Sequence, residues 1–305
     1  MRRWIPASAG MTGVLIAESV IEIMKTVLIT GANGALGRVL TARLKAENGV
    51  RVVTTDCATE NGCAALDVRE PKQMAKALTD AKPDIVIHLA ASFTNDFAEA
   101  YALNVEAARN LLAFALTSKM EARIVLIGSA AEYGAIRPDD NPMPEDRILN
   151  PVSVYGLTKA WQTQLAGFYA GLGADAVVAR IFNLDGPNLS ERLFIGRIQK
   201  QIRALQASER KTIDVGPLSA IRDYVSLEEA SRQILAIARY GKAGQVYNVA
   251  SGEPVLMRDL LARILSAHGL DMSIVREAES LSNRTGYDVP VIYADMTRTN
   301  QLMSL

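Results

Sequence analysis

Short apolar runs alternate along this chain with longer stretches in which apolar positions recur every three to four residues. The run Lys25–Thr30 reads as a strand, and 34–47 reads as the helix that follows it. Further strands are predicted at 51–55, 84–89, 123–128 and 176–181, with helices at 71–80, 97–118 and 153–172. In 97–118 the residues Leu103, Ala107, Leu111 and Ala115 fall at helical spacing. Strands that are apolar almost throughout suit a sheet covered on both faces. Strands separated by helices predict βαβ units and a parallel sheet. After Asn183 the rhythm breaks: 185–190 is turn-rich, helices follow at 195–207, 226–239 and 257–268, and 247–250 can return to the sheet. The expected fold class is α/β, a doubly wound parallel sheet with a smaller, partly interleaved C-terminal lobe. The expected boundaries are 24–183 for the sheet domain, with a return strand near 246–250, and 184–305 for most of the lobe.

Composition narrows the function classes. The chain has 305 residues, 49% of them hydrophobic, so a sizeable core is expected. Its 33 basic and 33 acidic residues cancel, and no Lys/Arg cluster stands out, which argues against a nucleic-acid partner. Cys57 and Cys63 are the only cysteines; they fit no zinc spacing and exclude a disulfide framework, and they suit a reducing cytoplasm. His88 and His268 are the only histidines, so no His-rich metal site can be built and acid–base work falls to other groups. His88 lies in an apolar strand and reads as structural. Residues 1–23 read as an extension, disordered or an early start, because 14–17 is too short an apolar core for a signal peptide. No 18-residue apolar span occurs, so no membrane helix is expected.

The junction between the first strand and helix carries the first candidate site. Gly31, Gly34 and Gly37 sit three apart in "VLITGANGALGRVL", residues 27–40. A strand entering a glycine-rich turn and then a helix presents backbone N–H groups and the helix dipole to an anion, here a pyrophosphate. Gly31 permits the tight turn, Gly34 close backbone approach, and Gly37 close packing of helix on strand. The spacing is Gly-x-x-Gly-x-x-Gly, not the commoner Gly-x-Gly-x-x-Gly. Asn33, Ala35 and Leu36 complete the turn. Asp56 ends the second strand, 19 residues after Gly37. A carboxylate there accepts from a ribose 2′-OH and repels a 2′-phosphate, favouring NAD(H) over NADP(H). Arg38 and Arg51 are the cations that leave NADP(H) open.

A second constellation points to proton transfer. Tyr155 and Lys159 are four apart in a predicted helix and share a face. A neighbouring ammonium and the helix N-terminus both stabilise tyrosinate, so the phenol is expected to fall from about 10 toward neutrality. Such a phenol can give or take the proton that accompanies hydride transfer. Ser129 closes the preceding strand at its C-terminal edge, where ligands bind in such sheets, and its hydroxyl can bond both the substrate oxygen and the tyrosine.

With these elements in order, the chain resembles the extended short-chain dehydrogenases/reductases, specifically the NAD-dependent epimerase/dehydratase family, which acts on sugar nucleotides through a Rossmann fold. The resemblance covers about 24–300. It rests on "TGANGALG", "LD" at 66–67, "HLAA" at 88–91, "LNVEAARNLL" at 103–112, "GSAAEYG" at 128–134, "PVSVYGLTK" at 151–159, "RIFNLDGP" at 180–187 and "RDYV" at 222–225. It implies Ser129, Tyr155 and Lys159 as catalytic. It implies Asp67 and Val68 near the adenine, and Leu89, Ala90 and Ala91 on the wall of the cofactor channel. Asn104 would lie on the cofactor side of the triad, and Phe182 would border the nicotinamide. Asn183 and Arg222 would hold the substrate's nucleotide and diphosphate, with Ser92 and Arg192 as further substrate contacts.

The family's dehydratases carry a Glu two residues after the catalytic Ser/Thr. Here that position is Ala131, and Glu132, one residue late, should point elsewhere. The C-terminal half is most similar to reductases of GDP-4-keto-6-deoxymannose, through "VGPLSAIRDYVSLEEA" and "YNVASGEPVLMRDLLARIL"; Gly128 stands where many relatives have Ser. The resemblance therefore implies a keto reductase, with a nucleotide-sugar 4-epimerase holding NAD tightly as the first alternative. The second alternative is a non-catalytic dinucleotide-sensing protein. It also implies a homodimer through a four-helix bundle of 97–118 and 153–172, with Ala108 and Ala166 expected on outward positions.

Overall fold

The computed structural model describes residues 25–281 and 289–305; the expected extension 1–23 lies outside them. The main sheet contains β1 (Lys25–Thr30), β2 (Val50–Asp56), β3 (Ala64–Ala65), β4 (Ile85–His88), β5 (Arg123–Ser129), β6 (Ala176–Ile181) and β10 (Val246–Val249). Its order is β10-β6-β5-β4-β1-β2-β3, and each adjacent pair is parallel. The order reverses between β1 and β4, which opens a crevice at the C-terminal ends of the strands.

Alternation along β1 shows why both faces must be covered. Val27 and Ile29 pack into one apolar layer with α1 (Ala35–Lys45) and residues of the C-terminal half, while Leu28 packs into the other. That second layer comprises α2 (Pro71–Ala81), α4 (Ala107–Thr117) and α5 (Val154–Gly171). A third cluster, with Tyr133, Phe182, Ile292 and Met296, lies under the C-terminal segments.

The predicted helix 97–118 is α3 (Phe97–Tyr101), a π-helical segment Ala102–Glu106 and then α4. The wider turn falls on Asn104, whose amide is fully engaged below the crevice; π turns gather at such sites. Ser153 caps α5 by accepting from Gly156 N at 3.0 Å. Ser226 likewise caps α7 (Leu227–Tyr240), accepting from Glu229 N at 3.1 Å.

Ala108 and Ala166, expected on outward positions, are instead buried in the second layer at 0% and 2% exposure. Both belong to the apolar cluster that α4 and α5 share with α2 and the sheet, so no outward small-residue face is left at these positions. The exposed apolar side chains on these helices are larger: Phe97, Tyr101, Phe168 and, after α5, Leu172.

The C-terminal half contributes β7 (Asn183–Asp185), α6 (Phe194–Gln206), β8 (Ile213–Val215), β9 (Ile221–Ser226), α7, β11 (Pro254–Leu256), α8 (Met257–Ser266), β12 (Val275–Glu277), β13 (Val291–Ile292) and α9 (Thr297–Met303). A small sheet runs β11-β9-β13, with β7 also on β9, and β8 pairs with β12. No helix among the described residues is long and apolar enough to cross a membrane.

Candidate active site

The glycine turn is forced by sterics on this chain. Gly31 has φ +70°, and a Cβ there would lie 2.8 Å from Ala90 N, in the segment leaving β4. A Cβ on Gly37 would lie 2.7 Å from Ala32 Cα, so α1 could not seat on the turn. Gly34 is the N-cap of α1, which has no side-chain cap and no acidic residue in its first turn. Its N–H groups and dipole are thus left to an anion, and the cradle of Gly31, Gly34, Ala35, Leu36 and Gly37 fits a dinucleotide pyrophosphate.

At the outer end of this cradle, Asp56 accepts from Asn33 N at 2.9 Å and Cys57 N at 2.8 Å. These bonds fix the carboxylate beside the turn. Arg38 donates to Asn33 O at 2.7 Å, so its exposed guanidinium sits at the same end. Arg51 is tied to Thr26 Oγ1 and Ala81 O, at the other end of β2. Asp67 pairs with Arg69 at 2.6 Å, which holds its carboxyl below the usual range, while Val68 is buried in the second layer. Leu89 N bonds Thr30 O at 3.1 Å, which runs Leu89, Ala90 and Ala91 past the glycine turn.

Ser129 closes β5 and stands at the C-terminal edge of the sheet. Its Oγ accepts from Ala131 N at 3.2 Å, and its hydroxyl lies near enough to the Tyr155 phenol to favour the phenol's ionisation. Tyr155 and Lys159 lie on the first turns of α5; Tyr155 is half-buried and Lys159 is 2% exposed. The structure corrects the expected acidic phenol. Burial pushes Tyr155 up to about 12, with the nearby Ser129 hydroxyl opposing, and it pushes the Lys159 ammonium down to about 8. For the phenol, desolvation and the Glu132 carboxylate act together; for the ammonium, desolvation outweighs the Glu132 carboxylate. Lys159 Nζ donates to Gln162 Oε1 at 2.8 Å, and Gln162 Nε2 donates in turn to Ile127 O.

Asn104 is wholly buried and joins two walls of the crevice. It accepts from Ser92 N at 2.9 Å and donates to Ser92 O and Thr158 Oγ1, each at 3.0 Å. Ser92 Oγ donates to Glu99 at 2.9 Å. Phe93, exposed after β4, packs its ring 5.0 Å from that of Tyr155. Phe182 is buried against Tyr133 at 6.0 Å.

Asn183 donates to Asp223 O at 2.9 Å, and Arg222 is buried on β9, donating to Ile221 O at 2.8 Å. Arg192 is exposed on the loop before α6. Beside α6, a cavity of about 460 Å³ is lined by Phe194, Arg197, Gln201, Val215, Pro217 and Met257.

Sequence reasoning missed the polar groups that brace the site. Asp223 accepts from Ser251 N, Ser251 Oγ, Gly252 N and Ala294 N. Asn248 bonds Tyr133, Met143 and Asp295. For Asn248 the signal was a polar residue inside an otherwise apolar strand, "VYNV"; Asp223 sits beside Arg222 in "RDYV", which hid it. Glu132 does point away from the crevice; its carboxylate is 0% exposed and pairs with Arg180 at 2.9 Å.

The chain is similar to several known proteins. GDP-6-deoxy-D-mannose reductase of Pseudomonas aeruginosa is 27% identical over 256 residues, covering 82% of each chain. The structure of RMD from the same species, complexed with NADPH, superposes with TM-score 0.80 at 23% identity over 92% of each chain. MoeE5 in complex with UDP-glucose and NAD superposes with TM-score 0.77 at 26% identity, again over 92% of each. Residues 27–250, from the first strand to the last strand of the main sheet, match the NAD dependent epimerase/dehydratase family, and the chain belongs to that family.

Proposed function

We propose that this enzyme reduces a nucleotide-linked 4-keto-6-deoxyhexose, with Tyr155 as the proton donor. The glycine cradle would hold the pyrophosphate of NAD(H), and Asp56 the adenosine ribose; Arg38 at the same end leaves NADP(H) accessible. A nicotinamide held there would supply the hydride. Ser129 would orient the sugar carbonyl by donating to its oxygen. Tyr155, kept protonated by burial, would pass its proton to that oxygen as the carbon is reduced, giving the alcohol. Lys159 would hold the ribose and offset the phenolate charge left behind. Asn183, Arg192, Arg222 and Ser92 would bind the rest of the nucleotide sugar.

The observation that carries this reading is the segment after Ser129. Eliminating water from a sugar needs a further acid–base group, and Ala131 has none. The carboxylate next to it, Glu132, is saturated inside the protein by Ser129 N, Thr163 and Arg180. A ketone needs only hydride and one proton, which Ser129, Tyr155 and Lys159 suffice to manage. The likeness to a GDP-6-deoxy-D-mannose reductase supports the same reading. The test is incubation with GDP- or dTDP-4-keto-6-deoxyhexose and NADH or NADPH, following absorbance and product together. Stoichiometric cofactor oxidation is expected. Interconversion of two hexose epimers without net cofactor change would establish a 4-epimerase instead.

We also infer a homodimer. Exposed Phe97, Tyr101 and Phe168 on α3 and α5 form the apolar surface that a bundle of these helices would cover.

A further inference from the structure

Beneath the proposed catalytic residues lies an ion pair that their chemistry does not use. Glu132 and Arg180 are 0% and 1% exposed and meet at 2.9 Å. Three elements converge on the carboxylate. From the end of β5, Ser129 N donates to Oε1 at 2.7 Å. From α5, one turn beyond Lys159, Thr163 Oγ1 donates to Oε2 at 2.9 Å. From β6, Arg180 Nε donates to Oε2 at 3.0 Å, while its Nη1 donates to Glu145 O. Arg180 also lies 4.7 Å over the Tyr133 ring.

The neighbouring sequence is fitted to this carboxylate. A Cβ on Gly128 would lie 2.6 Å from Glu132 Oε1. Glycine stands at 128 because the space a side chain would take there is occupied by Glu132. Thr163 turns its hydroxyl to the pair where α5 passes it.

We propose that Glu132, backed by Arg180, is a positioning residue that fixes the Ser129 backbone and sets the charge under Tyr155 and Lys159. The inference rests on the proposed roles of those three residues. Its geometric part is the clamp on Ser129 N, which sets where the Ser129 hydroxyl meets the phenol. Its electrostatic part follows from burial, where charge is poorly screened. The carboxylate raises both the Tyr155 phenol and the Lys159 ammonium. The other groups facing them are His88 from β4, held neutral by burial at about 3, and Arg180 from β6 behind Glu132. Removing only the negative charge leaves Arg180 uncompensated, and both effects favour the deprotonated forms of Tyr155 and Lys159.

The test compares wild type, Glu132→Gln, Glu132→Met/Arg180→Met and Tyr155→Phe as full chains. Glutamine keeps an acceptor for Ser129 N and removes the charge. In Glu132→Gln the alkaline limb of kcat for ketone reduction should move down by roughly one pH unit, with KM for NADH little changed. Ultraviolet difference titration against Tyr155→Phe should show the phenol ionising at lower pH, a readout independent of turnover. The double methionine variant removes both charges and the acceptor, and replacement of a buried pair by apolar residues is generally tolerated. It should keep its fold and cofactor affinity while kcat falls about tenfold or more, an effect of the size of lost alignment. A folded Glu132→Gln with an unmoved limb and unmoved phenol, or a double variant with wild-type kcat, overturns the inference. Turnover surviving in Tyr155→Phe would instead overturn the proposed function.

Discussion

Replacing Lys159 with methionine should make the protein more stable and less active. Burial depresses the ammonium from its ordinary 10.5 to about 8. At pH 7 the folded protein holds the charged form against that preference, and the difference of pKa corresponds to roughly 3 kcal/mol of destabilisation. Methionine has a similar reach and no charge. It also forfeits the bond to Gln162 Oε1 at 2.8 Å, and an acceptor left without its donor costs about 1–2 kcal/mol. The expected net gain is therefore about 1–2 kcal/mol, or a Tm higher by roughly 2–6 °C.

The pH dependence separates this cause from simple repacking. Below about pH 8 the lysine is protonated in both states, and the variant holds its full advantage. Between about 8 and 10.5 the folded lysine loses its proton while the unfolded one keeps it, so wild-type stability rises with pH. The gap should narrow through this window. Urea unfolding of both proteins from pH 6 to 10 measures it, alongside a kcat loss of about 100-fold or more if Lys159 serves the proton transfer. A variant that is less stable at pH 7, with a gap that ignores pH, would refute the reasoning.

Tyr155→Phe should lower kcat by about 100-fold or more while the cofactor dissociation constant stays nearly unchanged, because the ring keeps its contact with Phe93 and only the proton donor is lost; a few-fold loss in steady-state rate would remove the phenol from the chemistry. Asp56→Ala should weaken NADH binding and relax discrimination against NADPH, since the carboxylate fixed by Asn33 N and Cys57 N is gone; fluorescence titration with both cofactors checks it, and a wild type that already prefers NADPH contradicts it. Phe168→Glu, at a side chain 62% exposed on α5, should leave the fold intact and yield a monomer in sedimentation at micromolar concentration if the helices pair as inferred; an unchanged sedimentation coefficient counts against that interface.

The parallel sheet was readable because its strands are buried on both faces and so are written as unbroken apolar runs. The glycine turn was readable because excluded Cβ atoms leave a fixed spacing. The short strands β7, β8, β9, β11, β12 and β13 were not. They have six residues or fewer, and period-two alternation over so short a span cannot be told from a loop. Ala108 and Ala166 were misplaced for a related reason. Small residues mark close helix packing, but not whether the neighbour is this chain or a second copy.

The site divides the same way. The identities and spacing of Ser129, Tyr155 and Lys159 stand in the sequence, but the energetics of the phenol do not. Spacing alone put an ammonium near Tyr155 and suggested an acidic phenol. The fold buries both groups, turns Lys159 toward Gln162 and puts a negative charge behind them, so the phenol stays protonated. Glu132 is legible only after Gly128, Thr163 and Arg180 are seen together, because its partners come from three elements separated by up to 48 positions. A carboxylate's effect depends on whether it is solvated or enclosed, and that is decided by packing rather than by its neighbours in the chain. Here enclosure makes a carboxylate three residues from Ser129 the proposed support for the residue that would bind the ketone.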